Sequence, residues 1–223
     1  MTFSIAARCE STGQFGMAIS SSSPAVAARC SHVRAGIGVV ASQNITDPDL
    51  GTRVLGELEH GASAAHALER VLELYTHADF RQILVVDRNG TVATHSGKNV
   101  LGIWGEARGM SCVAGGNLLA NPDVPQQMVS AFEAASGTLA SRLMMALSAG
   151  LKAGGELGPV HSAGLKVADK LSWPLIDLRF DWSEHPMADL QEALRIFEPQ
   201  AEAYVQRALH PDQAPSFGVP GNQ

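Results

Sequence analysis

The chain opens with Thr2-Phe-Ser-Ile-Ala-Ala-Arg8, a turn signal at Glu10-Ser-Thr-Gly13, and Phe15-Gly-Met-Ala-Ile-Ser20. Both apolar runs have the length and composition of strands, so the stretch predicts an antiparallel pair joined by a tight turn. The run over residues 33–42 predicts a third strand, whose internal glycines indicate a bulge or a close backbone approach. Because these runs are nearly continuous in apolar residues, they favour a sheet that is covered on both faces.

The rest of the chain alternates strand hairpins with pairs of helices. Residues 82–87 and 91–95 flank Asn89-Gly90, a dipeptide that strongly signals a two-residue hairpin turn. Residues 162–168 and 175–180 predict two further strands. Since short turns cannot connect parallel strands, the pattern predicts antiparallel sheets.

Two antiparallel sheets packed face to face, with helices outside, account for the apolar strands and the paired helices together. The sequence therefore predicts an α+β fold, a four-layer α/β/β/α sandwich. We expect a single domain over residues 1–210. Residues 211–223 are expected to form a loop or arm. Its Phe217 and Val219 are candidates to dock on a neighbouring subunit, so we expect a homodimer.

The composition argues against several classes of function. The chain of 223 residues carries a net charge of −6, so no basic stripe is available to neutralise nucleic-acid phosphates. No apolar run approaches the ~20 residues that span a bilayer, and no signal peptide is visible. The cysteines lack a C-x-x-C spacing, which indicates reduced thiols. These features predict a cytoplasmic protein that binds neither nucleic acid nor a membrane.

Thr2 is a candidate nucleophile because of its place in the chain. Methionine followed by threonine is a pair that aminopeptidases usually cleave. Loss of Met1 would give Thr2 both a hydroxyl and a free α-amine, which can act as nucleophile and base within one residue. The alternative is an ordinary strand residue whose hydroxyl bonds to a backbone group.

Several spaced motifs resemble a known bacterial family. They are Thr2-Phe-Ser-Ile, Gly16-Met-Ala-Ile-Ser, Arg34-Ala-Gly-Ile-Gly-Val-Val-Ala-Ser-Gln43, Gly116-Asn117-Leu-Leu and Asp177-Leu-Arg179-Phe-Asp181. Over residues 2–198 the chain resembles the bacterial domain of unknown function 1028 (DUF1028), a family grouped with the N-terminal nucleophile hydrolases. The resemblance implies the α/β/β/α sandwich, and it implies cleavage of an amide bond by a mature N-terminal residue, here Thr2.

The resemblance also implies where the partners of Thr2 lie. Polar groups would come from the end of the second strand, and oxyanion donors from the turn before the first long helix. The candidate catalytic residues are Thr2, Gln43 and Asn117. The candidate substrate-binding residues are Ser20, Ser21, Ser22, Ser23, Asn44, Asp177 and Arg179.

The residues themselves favour these positions, although each has a structural alternative. Adjacent serines are unfavourable in a buried strand unless they are hydrogen-bonded, but they also suit a strand end. Asn44 stands just before a helix start, where anions are favoured and where capping is equally common. The glycines before Asn117 permit close approach of a ligand or simply shape a turn. Asp177 and Arg179 share one face of a strand and suit an ion pair, beside the site or purely structural.

Two features of the threonine-type hydrolases are missing, namely an acid near the end of strand two and a lysine near the start of strand three. The nearest basic residues are Arg29, His32 and Arg34, and arginine cannot act as a base at neutral pH. Two functions therefore stay open. One is an amidohydrolase that cleaves a small amide or ureide through Thr2, and the other is a catalytically silent protein that binds a small polar metabolite. A structural or assembly role has only the low charge and the tail in its favour.

Cofactor motifs give no further function. The sequence has no P-loop, no dinucleotide fingerprint following a strand and no H-x-x-x-H pair on a clear helix. We therefore expect neither a cofactor nor a bound metal.

Overall fold

Two antiparallel sheets pack face to face, and helices cover the outer face of each. The structure, a computed structural model, describes residues 1–221; residues 222 and 223, which end the predicted arm, lie outside the described residues. Within that range the first sheet has six strands and the second has four. This four-layer α/β/β/α sandwich confirms the fold class predicted from the sequence.

The elements follow one another as hairpins and helix pairs. The strands are β1 (Thr2–Arg8), β2 (Phe15–Ser21), β3 (Ser31–Arg34), β4 (Gly38–Asn44), β5 (Arg81–Asp87), β6 (Val92–Ser96), β7 (Gly105–Gly109), β8 (Cys112–Asn117), β9 (Ser162–Ala168) and β10 (Ile176–Phe180). The helices are α1 (Val26–Cys30), α2 (Pro48–Glu59), α3 (Ala64–Glu73), α4 (Val124–Ala134), α5 (Leu139–Lys152), α6 (Pro186–Phe197) and α7 (Ala201–Leu209). The sheet orders are β10-β9-β2-β1-β8-β7 and β3-β4-β5-β6.

The side chains of β1 alternate between two cores. Phe3 joins the buried cluster that packs the first sheet against α4, α5 and α6. Ala6 points the other way, into the core between the sheets, and Ser4 on that inner face donates to Gln43 Oε1 of the second sheet at 2.7 Å. Because strand side chains alternate, Thr2 shares the inner face. The first residue of the strand therefore lies between the two sheets.

The predicted third strand over residues 33–42 is wrong in part, because the chain reverses direction inside it. β3 and β4 pair antiparallel from Arg34↔Gly38 to Ser31↔Ala41. Between them Gly36 has a φ of +68°, which glycine adopts without the steric penalty of a Cβ. Gly36 therefore marks a hairpin turn. Gly38, inside β4, confirms the close backbone approach, since a methyl group there would lie 2.6 Å from the Val86 carbonyl oxygen.

The end of the chain folds back on itself. Pro199 interrupts the last helical stretch, and a 3-10 turn at Glu198–Gln200 separates α6 from α7. Beyond α7, Phe217 lies under the guanidinium of Arg207, 3.9 Å from the ring centroid to Cζ, and near the ring of Tyr204. In residues 1–221, no helix has the length and apolar character required to cross a membrane.

Candidate active site

Three polar side chains form a row across the first sheet at the start of β1. Thr2 is the register partner of Asn117 on β8. On its other side β1 pairs with β2, where the partnership Phe3↔Ser20 brings Ser21 opposite Thr2. Side chains in such positions have Cβ atoms about 5 Å apart and point the same way. The row Asn117, Thr2, Ser21 therefore faces the interior between the sheets.

The hydroxyl of Thr2 is buried and contacts two groups. Thr2 is only 5% exposed, and its Oγ1 lies 2.5 Å from the carbonyl oxygen of Met1 and 3.4 Å from Ser21 Oγ. Ser21 Oγ also donates to the same Met1 carbonyl and accepts from the backbone N–H of Ser23 at 3.0 Å. Both hydroxyls of the row are thus held by the peptide group that joins Met1 to Thr2.

A network of amides behind the row fixes the orientation of Asn117. Gln82 Nε2 lies 3.2 Å from the carbonyl oxygen of Gly116, which can only accept, so Gln82 Oε1 must face the other way. That oxygen accepts from Gln43 Nε2 at 2.9 Å and from Asn117 Nδ2 at 3.2 Å. Asn117 Oδ1 is consequently an acceptor, and it is buried without a hydrogen-bond partner among the described residues. An unpartnered buried acceptor beside Thr2 suits an N–H from outside the network.

Gln43 belongs to this network rather than to an open surface. It is fully buried, and its amide accepts from Ser4 and donates to Gln82. The structure therefore brings Gln43 near the row but uses its side chain to hold Asn117 in place through Gln82.

Glu156, in the loop between α5 and β9, reaches the same end of β1. The residue is 5% exposed, and neither carboxylate oxygen has a hydrogen-bond partner among the described residues. It forms an isolated bridge with Leu119, two residues after Asn117. A methyl group placed on neighbouring Gly155 would lie 3.5 Å from Phe3 Cε1, and one on Gly158 would lie 3.6 Å from Met1 Cε. The loop therefore packs on the first residues of the chain.

Burial governs the charge of Glu156. It raises the pKa of the carboxyl from 4.5 to about 7. The hydroxyl and backbone N–H of Ser22, which approach the carboxyl without hydrogen-bond geometry, lower it by less, as do the N-terminal ammonium and His161. A carboxyl with this pKa can both hold and release a proton near neutral pH. Sequence reasoning missed this residue, because a single acid after Gly154-Gly155 has no motif. The only signal was a lone charge in a loop that is otherwise apolar and rich in glycine.

The serine run divides between the two faces of β2. Ser21 faces Thr2, whereas Ser20 lies on the opposite face of the strand and donates to the Ser162 carbonyl at 3.1 Å. Ser22 lies near Glu156, and the Ser23 carbonyl accepts from Ser162 Oγ at 2.6 Å. Ser21 and Ser22 are therefore the members of the run that the structure brings to the site.

Asn44 has a structural role in this fold. Its side chain donates to the Phe80 carbonyl at 2.7 Å and accepts from the Leu101 N–H at 3.2 Å. Its φ of +75° is one that asparagine tolerates better than most residues. The structure thus uses Asn44 to attach neighbouring loops to the end of β4.

Asp177 and Arg179 do not lie beside Thr2. Asp177 pairs with Lys166 on β9, whose partner on β2 is Met17, opposite Ala6. That position is four residues along and three strands across from Thr2, a separation of roughly 20 Å by strand geometry. Asp177 instead forms ion pairs, 3.2 Å to Lys166 Nζ and 3.5 Å to Arg179 Nε. This corrects the expectation of an ion pair next to the site.

His161 has structural contacts near the site, and the described residues contain no group of metal ligands. His161 stacks on Trp182 with centroids 4.4 Å apart, and its backbone N–H donates to the Ser21 carbonyl at 2.9 Å. No three His, Cys, Asp or Glu side chains of residues 1–221 are grouped as ligands for a metal ion.

Comparison with known proteins identifies the family. Residues 2–190 match the sequence profile described as "Family of unknown function (DUF1028)". The chain belongs to the DUF1028 family. A crystal structure of a DUF1028 protein from Silicibacter pomeroyi superimposes with a TM-score of 0.83 and 29% identity, over 88% of this chain and 85% of that one.

Two further comparisons give the DUF1028 chain no function. Anbu, the ancestral β-subunit from Yersinia bercovieri, aligns over 92% of this chain and 97% of that one, with 11% identity and a TM-score of 0.38. Similarity at that level supports no structural argument. Among curated proteins, none matches the chain.

Proposed function

We propose that this DUF1028 protein is an amidohydrolase of the N-terminal nucleophile type, which cleaves a small amide or ureide after loss of Met1. The observation that carries the proposal is the row Asn117, Thr2, Ser21 at the start of β1, with the unpartnered carboxyl of Glu156 at the same end. A nucleophile with an α-amine as base, an amide N–H for the oxyanion and a titratable acid nearby are groups that can carry acyl transfer.

The proposed reaction uses the two functional groups of mature Thr2. The α-amine takes the proton of the hydroxyl as Oγ1 attacks the amide carbon, and the tetrahedral intermediate then loses the amine, which leaves with that proton. The acyl group stays on Thr2 as an ester. Water attacks the ester, its proton passes to the α-amine and on to Oγ1, and the acid is released.

The neighbours of Thr2 have distinct proposed roles. The second N–H of Asn117 Nδ2 is not used by Gln82 and is the proposed donor to the oxyanion. Asn117 Oδ1 would accept an N–H of the α-amine or of the substrate. Ser21 Oγ, freed from the Met1 carbonyl, would pass protons between Thr2 and its amine. Glu156, when ionised, would stabilise the α-ammonium that forms as the amine takes the proton, in place of the acid and lysine that the sequence lacks.

The experiment begins with the intact mass of protein expressed without an N-terminal tag. Forms with and without Met1 are separated and assayed on a panel of amides and ureides. We expect turnover only by the form that lacks Met1. Thr2→Ala, which also permits removal of Met1, should abolish turnover while ligand binding is retained. Turnover by Thr2→Ala that equals the wild-type rate would rule out the nucleophile.

A binding protein is the second candidate function, and one observation favours it. While Met1 is present, its carbonyl engages the hydroxyls of both Thr2 and Ser21, and Thr2 has no free amine. A protein that keeps Met1 would therefore present a polar cleft without a base on the nucleophile. Thermal stabilisation of that form by a metabolite, with no turnover by either form, would favour this candidate.

A further inference from the structure

Large apolar side chains are exposed around the end of the sandwich where β1 begins. We call the following six residues, each between 43% and 65% exposed, the apolar rim: Ile45, Leu101, Ile103, Trp104, Leu157 and Trp182. Exposed apolar groups gathered at one end of a domain mark surfaces that contact another molecule.

Backbone hydrogen bonds attach one side of the apolar rim to the two residues that follow Asn117. The Leu118 N–H donates to the Leu101 carbonyl at 2.9 Å, and the Leu119 N–H donates to the Ile103 carbonyl at 2.8 Å. Leu157 is held in the same way, since its N–H donates to the Leu118 carbonyl at 3.0 Å. These rim residues therefore stand next to the row that contains Thr2.

Two other members of the rim follow different strands: Trp182 comes after β10, and Ile45 comes directly after β4. Trp182 stacks on His161, whose N–H is bonded to the Ser21 carbonyl. Ile45 follows Asn44, whose side chain accepts from the Leu101 N–H at 3.2 Å. At least one exposed apolar side chain thus stands on the β2 side of the row as well as on the β8 side.

Three side-chain cations of this end are already engaged within the protein. Arg81 binds Tyr75 Oη and the Ile45 carbonyl, Arg29 binds the Pro24 carbonyl, and Lys98 pairs with Asp79 at 2.8 Å. The carboxyl of Glu156 is buried at the same end and would repel an anion when ionised. A substrate carboxylate or phosphate at the rim would therefore lose its hydration without gaining a partner from these three side chains.

We propose that the site takes a neutral amide with an apolar group on the acyl side of the scissile bond. This substrate class rests on the proposed function, because it assumes that Thr2 is the reacting group. The reaction is R–CO–NH–R′ + H₂O → R–COOH + R′–NH₂, in which the apolar R group lies against the rim and the carbonyl reaches Thr2.

Two anilides of equal chain length test this preference. N-hexanoyl-p-nitroanilide and N-adipoyl-p-nitroanilide differ only in that the second ends in a carboxylate. For protein that has lost Met1, we expect kcat/KM for the hexanoyl compound to be at least ~10-fold higher. Equal values, or a preference for the adipoyl compound, would overturn the proposal.

A pair of variants locates the preference on the rim. Leu157→Arg should lower the hexanoyl-to-adipoyl ratio by about 10-fold, because it places a cation beside the site. Leu74→Arg, at an 84% exposed leucine beyond α3, should leave the ratio unchanged. If Leu157→Arg instead splits a dimer in light scattering and leaves the ratio unchanged, the rim is a contact between copies and the proposal is wrong.

Calorimetry on Thr2→Ala separates a failure of this proposal from a failure of the proposed function. If neither anilide is cleaved but the hexanoyl compound binds Thr2→Ala more tightly than the adipoyl compound does, the proposed ligand class is supported and the proposed hydrolase activity is rejected. Equal binding of the two compounds, or none, would reject the ligand class whatever the activity.

Discussion

The hydroxyl oxygens of Thr2 and Ser21 lie 3.4 Å apart, and both groups donate to the carbonyl oxygen of Met1. The two residues are 19 positions apart in sequence and meet because β1 and β2 form a tight hairpin. Loss of Met1 would release both hydroxyls at once and would leave an amine next to them. Cleavage of the peptide bond between Met1 and Thr2 would therefore create a site that has a nucleophile, a base and a neighbouring hydroxyl.

Ser21→Ala should slow amide turnover of the form that lacks Met1 by at least ~10-fold, because it removes a hydroxyl that can pass protons beside Thr2. Ser20→Ala is the matched control, since Ser20 lies on the opposite face of β2. Steady-state kinetics of both variants on the same amide give the comparison. A loss of turnover in Ser20→Ala as large as that in Ser21→Ala would point to damage of the strand rather than to chemistry.

Glu156 should make stability depend on pH in a defined direction. Because its pKa rises from 4.5 to about 7 on folding, the folded protein holds this proton more tightly, and stability falls as the pH rises through that interval. The effect amounts to roughly 3 kcal/mol at most. Glu156→Gln removes it, so the variant should gain stability relative to the wild type between pH 5 and pH 8.

Urea unfolding of the wild type and of Glu156→Gln at pH 5 and pH 8 measures the gain in stability. Glu69→Gln, at an exposed carboxylate on α3, is the control and should behave as the wild type. A stability difference between Glu156→Gln and the wild type that is constant with pH would contradict the assignment of the titration to Glu156.

Gln82 should be the residue on which the amide network depends. Gln82→Leu leaves Asn117 Nδ2, Gln43 Nε2 and the Gly116 carbonyl without their shared partner, and we expect a loss of about 2–4 kcal/mol in the free energy of unfolding. Ser96→Ala removes a peripheral contact of the same side chain, 3.2 Å from Gln82 Nε2, and should lose about 1 kcal/mol or less. If chemical denaturation shows equal losses of unfolding free energy for Gln82→Leu and Ser96→Ala, the amide network does not depend on Gln82.

Two glycines of α2 should respond in opposite ways to alanine. A methyl group at Gly51 would lie 2.1 Å from His32 Cδ2, so Gly51→Ala should destabilise the protein by about 1–3 kcal/mol. Among the described residues, a methyl at Gly56 would meet no atom within 4 Å outside the backbone of its own helix, and Gly56→Ala should stabilise the protein by up to about 1 kcal/mol through helix propensity. Thermal unfolding of the pair tests the packing of α2 on β3, and two shifts of the same sign would contradict it.

Apolar runs and turn residues predict most of this fold. The hairpins around Gly13 and Asn89-Gly90 and the helix break at Pro199 follow from local chemistry, and the structure contains all three. The run over 33–42 misleads because two apolar strands joined by a glycine turn have the same composition as one long strand. β7 is not predicted, since an exposed edge strand with polar residues lacks the apolar signal.

The candidate site is harder to predict because it is assembled by distant contacts. The strand end at Asn117 can be read from the sequence, but its place beside Thr2 depends on the pairing of β1 with β8. Glu156 comes from a loop whose packing on Met1 and Phe3 leaves no local pattern. Conversely, Asp177 and Arg179 look like site residues in a motif, but the sheet order carries them to an edge strand far from Thr2.

The most direct test of Thr2 as the nucleophile needs no knowledge of the substrate. A β-lactone acylates a reactive hydroxyl by ring opening and adds its whole mass to the residue that attacks it. Protein that has lost Met1 is treated with the probe, digested and mapped by mass spectrometry, beside protein that retains Met1 and beside Thr2→Ala. We expect one adduct, on Thr2, in the form without Met1 alone. No adduct in that form, or an adduct that persists in Thr2→Ala, would contradict it.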